Sequence, residues 1–243
     1  MALTVGRLEQ MEQLANLGDS RMTGFCPYCA DEPRTRDHVP AKVFLDPPYP
    51  ENLPKVEACL RCNNGSSLDE EYLACLIACV IGGGVEDTVI GREKIRRILN
   101  ERPGLRERLR QSHGVTSAGT VFTIEPDRVR NVVVKLARGH AAFELNEPQL
   151  GQPAVVGYVP LHLLDPEQRS GFENPPTPAN WPEVGSRALQ RAVVSAKFGL
   201  TDWVEVQPDR YRYLAFSGDG VAVRMVLSEY LACEVRWSEG DYS

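Results

Sequence analysis

Two Cys-x-x-Cys pairs constrain this chain more than any other feature. Cys26 pairs with Cys29 and Cys59 with Cys62, with 29 residues between the pairs. Two intervening residues make a tight knuckle that aims both thiolates at one point, and two knuckles together complete a tetrahedral zinc site. One pair alone would fit a thiol redox site equally well; two pairs at this separation point to a structural metal. Seven cysteines is an odd number, so a closed disulfide set is not expected and a reducing compartment is. Cys75 and Cys79, four apart in an apolar stretch, and Cys233 in a strand-like run read as packed core thiols.

The chain has 243 residues, 42% hydrophobic and 25% charged, enough for one large domain or two small ones. Met1 to Gly18 reads as an amphipathic helix (1–21 with its tail), without the apolar centre of an export signal. The longest apolar run, Tyr72 to Ile81, is half the length of a membrane span. A cytoplasmic protein with no membrane partner is the expectation. The net charge of −6 is a poor match to a general nucleic-acid coat, but it is unevenly spread. From Arg92 to Arg110 eight Arg or Lys face three Glu, and from Asp127 to Arg138 four cations face one acid. Such strips fit either a surface aimed at phosphates or solvated helix faces.

The order of elements predicts an α+β protein. A short strand is expected over Leu53 to Ala58, and Ser67-Leu68-Asp69-Glu70 has the pattern of a capping box starting a helix to about Val80. Gly82-Gly83-Gly84 lacks the Lys of a phosphate loop and reads as a helix stop. Helices are expected over Gly91 to Gln111, broken near Pro103-Gly104, over Asp127 to Leu145, and over Ser186 to Phe198. Val132, Val133, Leu136, Ala137 and Phe143 of the second should face inward. Strands are expected at Ala154 to Val159, Trp203 to Val206, Tyr211 to Phe216, Val221 to Val226 and Cys233 to Trp237, with a hairpin turn at Ser217 to Gly220. Asn174 to Pro182 is a proline-rich loop.

Between and beside the knuckles the residues run Cys26-Pro27-Tyr28-Cys29, Asp37-His38-Val39-Pro40, Asn52-Leu53, then Cys59-Leu60-Arg61-Cys62-Asn63. In type, order and spacing this resembles the HNH endonuclease family in its zinc-knuckle form, over roughly residues 22 to 81. The resemblance implies a zinc-stapled ββα-metal unit at 22–84, followed by a mixed helical and antiparallel β region at 85–243. It implies hydrolysis of DNA phosphodiester bonds, in a family whose members serve in restriction, phage defence or mobile elements. Zn²⁺ on Cys26, Cys29, Cys59 and Cys62 would be structural, since a closed Cys₄ site leaves no open position.

Hydrolysing a phosphodiester requires a base for the attacking water and compensation of charge on the leaving oxygen. An imidazole that titrates near neutrality suits the first task, which assigns His38 as general base. A catalytic Mg²⁺ or Mn²⁺ prefers oxygen ligands, which suits Asp37 and the Asn63 side chain, with Asn64 and Asp69 as alternatives to Asn63. The resemblance gives Asn52 the task of orienting the histidine. Where family members carry Lys or His on the helix after Cys-Asn, this chain has Ser66 and Ser67. The alternative is a non-catalytic zinc module binding nucleic acid or a protein partner. His113, His140 and His162 have no partners at ligand spacing and are assigned no role.

Overall fold

The computed structural model describes residues 24–117, 119–174, 181–194 and 202–238. The expected N-terminal helix, most of the proline-rich loop and the end of the 186–198 helix lie outside them.

The first elements are a hairpin and a helix. Strand β1 (Thr35–His38) pairs antiparallel with β2 (Lys55–Ala58), Asp37 opposite Val56 and His38 opposite Lys55. Between them a 3₁₀ turn at Lys42–Phe44 and the prolines at 47, 48 and 50 carry the chain out and back. β2 runs through Cys59 into helix α1 (Leu60–Gly65), and α2 (Ser67–Gly82) follows. Leu73, Leu76 and Ile77 of α2 are buried, as is the Tyr72 to Cys79 stretch as a whole, so this is a central helix without a polar face. Each such Leu or Ile contributes roughly 1.5–3 kcal/mol by leaving water. Gly83 stops it in the left-handed region at φ 74°, its N–H bonding the carbonyls of Cys79 and Val80.

The capping box expected at its start is absent. The Ser67 hydroxyl donates to the Asn64 carbonyl, and Ser66 holds the N-cap position without a side-chain bond. α1 already precedes α2, so there is no free helix start to cap, and Glu70 is turned to a different use. A capping box does occur further along the chain, where Asp165 and Gln168 close one at helix α6 (Pro166–Glu173).

The basic stretch forms α3 (Glu93–Glu101) and α4 (Pro103–Ser112), broken at the expected proline. A small hairpin follows, β3 (His113–Thr116) with β4 (Gly119–Phe122). Its four-residue strands are mostly exposed and carry no apolar alternation, so the sequence pattern does not announce it. α5 (Pro126–His140) buries Val132, Val133, Leu136 and Ala137 as expected, then widens into a π turn at Ala141–Leu145. Phe143, on that turn, is only half-buried.

β5 (Val155–Pro160), β6 (Val204–Gln207), β7 (Tyr211–Gly218), β8 (Gly220–Leu227) and β9 (Leu231–Ser238) form one antiparallel sheet in the order β5-β9-β8-β7-β6. The β7–β8 turn falls at the Ser217–Gly220 signal, with Gly218 paired to Gly220. One face of the sheet, including Tyr213, Val223, Met225, Cys233 and Val235, joins Phe44, Leu45, α2, α3 and α5 in a single apolar core. Residues on either side of Gly84 therefore share that core. α7 (Arg187–Val194) packs against the π turn. No helix among the described residues is long and apolar enough to cross a membrane.

Candidate metal centre and active site

The hairpin brings the two knuckles together. The Cys26 carbonyl accepts from the N–H groups of Cys29 and Ala30, which closes the first knuckle. Cys59 is the N-cap of α1, its sulfur accepting from the Cys62 N–H at 3.4 Å. The four Sγ atoms lie within 4.8 Å of one another, and Cys29 and Cys59 are 3.6 Å apart. Four sulfurs at about 2.3 Å from a tetrahedral zinc would stand about 3.8 Å from each other, so the set fits that ion.

The backbone N–H of Cys62 is the main influence drawing the Cys59 thiol down to about 7, whereas burial pushes Cys26 and Cys62 up. Four thiolates this close need a dication to coexist, and zinc binding would release their protons. Two guanidinium groups flank them. Arg61 pairs with Asp31 at 2.8 Å, and the Cys29 sulfur further favours its charge. Arg138 of α5 donates to the Tyr28 carbonyl at 3.3 Å and to those of Leu150 and Gly151. Gly139 is where α5 meets the knuckle: a Cβ there would stand 2.7 and 2.8 Å from the Val39 methyls and 3.2 Å from the Tyr28 hydroxyl.

Asp37 and His38 part at the end of β1, because successive side chains of a strand leave on opposite faces. Asp37 turns inward and is 6% exposed. Its Oδ2 accepts from the Tyr28 hydroxyl at 3.1 Å and from the Lys135 ammonium at 2.8 Å. Lys135 in turn donates to Glu70 at 2.7 Å. Burial raises Glu70 against the pull of Lys135, and burial together with the Asp37 charge raises Tyr28 well above its ordinary value. Lys135 is held above its ordinary value: burial opposes its charge, but Glu70 and Asp37 outweigh burial.

His38 is half-buried on the other face, beside Lys55 on β2. Its pKa is lowered by partial burial and by the charges of Lys42 and Lys55, with Asp37 pulling weakly the other way. The imidazole is therefore neutral at neutral pH, the state a proton acceptor requires. Both lysines are exposed, Lys42 lying 5.2 Å over the Tyr49 ring. Sequence reasoning missed them, since nothing in an isolated lysine announces which histidine it will stand beside.

Asn63 reaches back to β1, its amide donating to the Thr35 hydroxyl at 3.2 Å and the Arg36 carbonyl at 3.4 Å. Asn52 is half-buried just before Pro54, whose carbonyl accepts from the Val39 N–H. Asp69 bonds Arg128 at 2.7 Å and Asn131 at 3.2 Å, and Asn64 holds Ser67 through its backbone carbonyl. Asp37 does not fit a divalent cation as it stands, because its carboxylate already accepts an ammonium, whereas Asn63 spends only its amide N–H groups on the strand.

The first basic strip is also less free than its composition implied. Each of the eight cations from Arg92 to Arg110 has an acid or carbonyl partner within the fold. Asp46, Glu71, Glu86, Asp87 and Glu125, all from outside the segment, meet Arg92, Arg102, Arg110, Arg106 and Arg108. Lys94 donates to the Lys42 carbonyl and Tyr49, Arg96 to the Ile90 carbonyl, and Arg97 stands 4.0 Å from Glu101.

Cys75, Cys79 and Cys233 are buried in the core, and burial pushes the first two up to about 12. His113 lies tilted against Phe122, and exposed His162 lies near Tyr230. His140 is fully buried at the start of the π turn. It shares a hydrogen bond of 2.8 Å with the Tyr211 hydroxyl and stacks on Tyr213 at 3.7 Å. The Tyr213 hydroxyl donates to Glu144, which also receives Arg191. No family model, curated protein or solved structure matches this chain.

Proposed function

We propose that the chain is an HNH-type endonuclease that hydrolyses DNA phosphodiester bonds with His38 as the general base. The observation that carries this reading is the end of β1: a half-buried imidazole, kept neutral, with two exposed lysines beside it. A base that accepts a water proton near neutral pH, with cations able to meet a phosphate, matches what the hydrolysis asks of a protein. The order hairpin, Cys₄ staple, helix supports the same reading, because it holds the strand end in register by ligands that take no part in chemistry. Asn52, two residues before the Pro54 whose carbonyl accepts from the Val39 N–H, is proposed to steady the histidine loop.

Dependence on an added Mg²⁺ or Mn²⁺ is where geometry and resemblance part, since the Asp37 carboxylate already holds the Lys135 ammonium in a buried ion pair. A second reading, a non-catalytic zinc module that binds nucleic acid or a protein partner, draws its support from that ion pair and from the internally matched cations of α3 and α4.

A plasmid-nicking assay separates the two, with zinc-loaded wild type beside His38→Ala, both without and with Mg²⁺ or Mn²⁺. The first reading expects His38→Ala to fold, keep zinc and lose roughly 10²- to 10⁴-fold in cleavage rate. Because the His38 pKa is lowered, the acid limb of the wild-type profile should lie below the ordinary 6.5. Equal rates for both proteins, or no cleavage under any condition, would favour the binding module instead.

A further inference from the structure

The carboxylate that the resemblance gives to a hydrolytic metal ion already has a cation of its own. We propose that Lys135 is the resident counter-ion of Asp37, and that this chain recruits no Mg²⁺ or Mn²⁺ through that side chain. The inference rests on the nuclease reading only in supposing that a phosphate would be met at His38.

Lys135 arrives from α5, far from β1 in sequence, and is clamped on two sides. Its Nζ is 2.8 Å from Asp37 Oδ2 and 2.7 Å from Glu70 Oε1, and all three side chains are less than a tenth exposed. The Tyr28 hydroxyl donates into the same Asp37 oxygen, and its ring lies 5.5 Å from Nζ. An ion bound at about 2.1 Å from Oδ2 would stand no more than about 5 Å from the ammonium, with little water between to screen the repulsion. Moved to Oδ1 it would still lie within about 7 Å. Nor can the ammonium swing aside at small cost, because leaving Asp37 also strands Glu70.

Strand alternation points the same way independently. Asp37 faces the core between α2 and α5, while His38 leaves β1 on the opposite face. An ion on Asp37 would therefore lie across the strand from the imidazole, badly placed to share a phosphate with it. Of the other candidates, the Asp69 carboxylate is committed to Arg128 and Asn131, while Asn63 spends its amide N–H groups on Thr35 and Arg36. The positive charge near the base comes from Lys42 and Lys55. Asp37 and Lys135 serve to lock β1 onto α2 and α5.

The test is Mn²⁺ binding to the zinc-loaded full chain, followed by electron paramagnetic resonance, comparing wild type with Asp37→Asn. The expected result is the same Mn²⁺ affinity within about twofold. A site at least tenfold weaker in Asp37→Asn would overturn the proposal. Should that variant not fold, anomalous diffraction from wild-type crystals soaked in Mn²⁺ decides the matter. No peak at the Asp37 carboxylate supports the proposal, and a peak there with Lys135 displaced refutes it. Neither measurement involves cleavage, so failure here is distinct from failure of His38 as base.

Discussion

Replacing Lys135 with Met removes one charge and leaves two. Met keeps most of the side-chain volume, so the perturbation is electrostatic: Nζ and its bonds to Asp37 and Glu70 vanish, while both carboxylates stay 8–9% exposed. Breaking a buried ion pair by deleting one partner costs about 3–5 kcal/mol. Two stranded carboxylates argue for the upper part of that range, and a proton on Glu70, which burial already pushes upward, argues for the lower. A loss of about 4 kcal/mol at pH 8 follows, or about 8–16 °C in Tm for a chain of this length. The pH dependence carries the diagnosis. Without Lys135 the folded-state pKa of Glu70, which burial already raises, must rise further above its unfolded value. A carboxyl group raised on folding keeps its stability below the unfolded value and loses it as pH climbs through the folded one. The deficit should therefore shrink as the pH is lowered from 8 toward 5. Urea unfolding of the zinc-loaded protein at pH 5 and pH 8 measures it, and adding Asp37→Asn should recover part of the loss. A deficit under about 1 kcal/mol, or one equal at both pH values, would refute the buried-pair account.

Gly139→Ala should destabilise by about 1–2 kcal/mol net, a clash with Val39 and Tyr28 outweighing the usual helix gain, and Val39→Ala in the same chain should relieve it in thermal melts. Elemental analysis should find one zinc per chain, and Cys59→Ser should lose it together with on the order of 10 kcal/mol of folding free energy; a Cys59→Ser protein as stable as wild type would remove the structural role. His140 is fully buried with its pKa well below 6.5, so the folded state favours the neutral ring. Its contribution is intact above pH 6.5 and falls as pH drops below that value, by up to about 1.4 kcal/mol per pH unit. His140→Gln should flatten that part of the stability profile, and an unchanged slope would place the acid sensitivity elsewhere.

The knuckles were legible because two cysteines and two spacer residues make their geometry locally, and the hairpin between them has only to close the distance. The strands of the tail were legible for a related reason: aromatic and β-branched runs flank a glycine-rich turn between Tyr211 and Leu227, and most of their residues are buried. The triple glycine and Pro103 acted as local punctuation, and the chain obeyed both. The sequence could also place Asp37 and His38 side by side in a motif.

What it could not contain is the partner of each side chain. Lys135 comes from a helix almost a hundred residues on, and only the docking of α5 against α2 and the hairpin puts its ammonium on Asp37. The same holds for the basic stretch, where cations that composition reads as free are met by Asp46, Glu71, Glu86, Asp87 and Glu125 once the helices pack. His140 looked like a histidine without partners until β7 brought Tyr211 and Tyr213 to it. Ligand spacing, strand period and helix stops are short-range properties of a chain, and this sequence determined them by itself. Charge pairing and burial depend on what crosses from elsewhere, and the tertiary structure alone decided those.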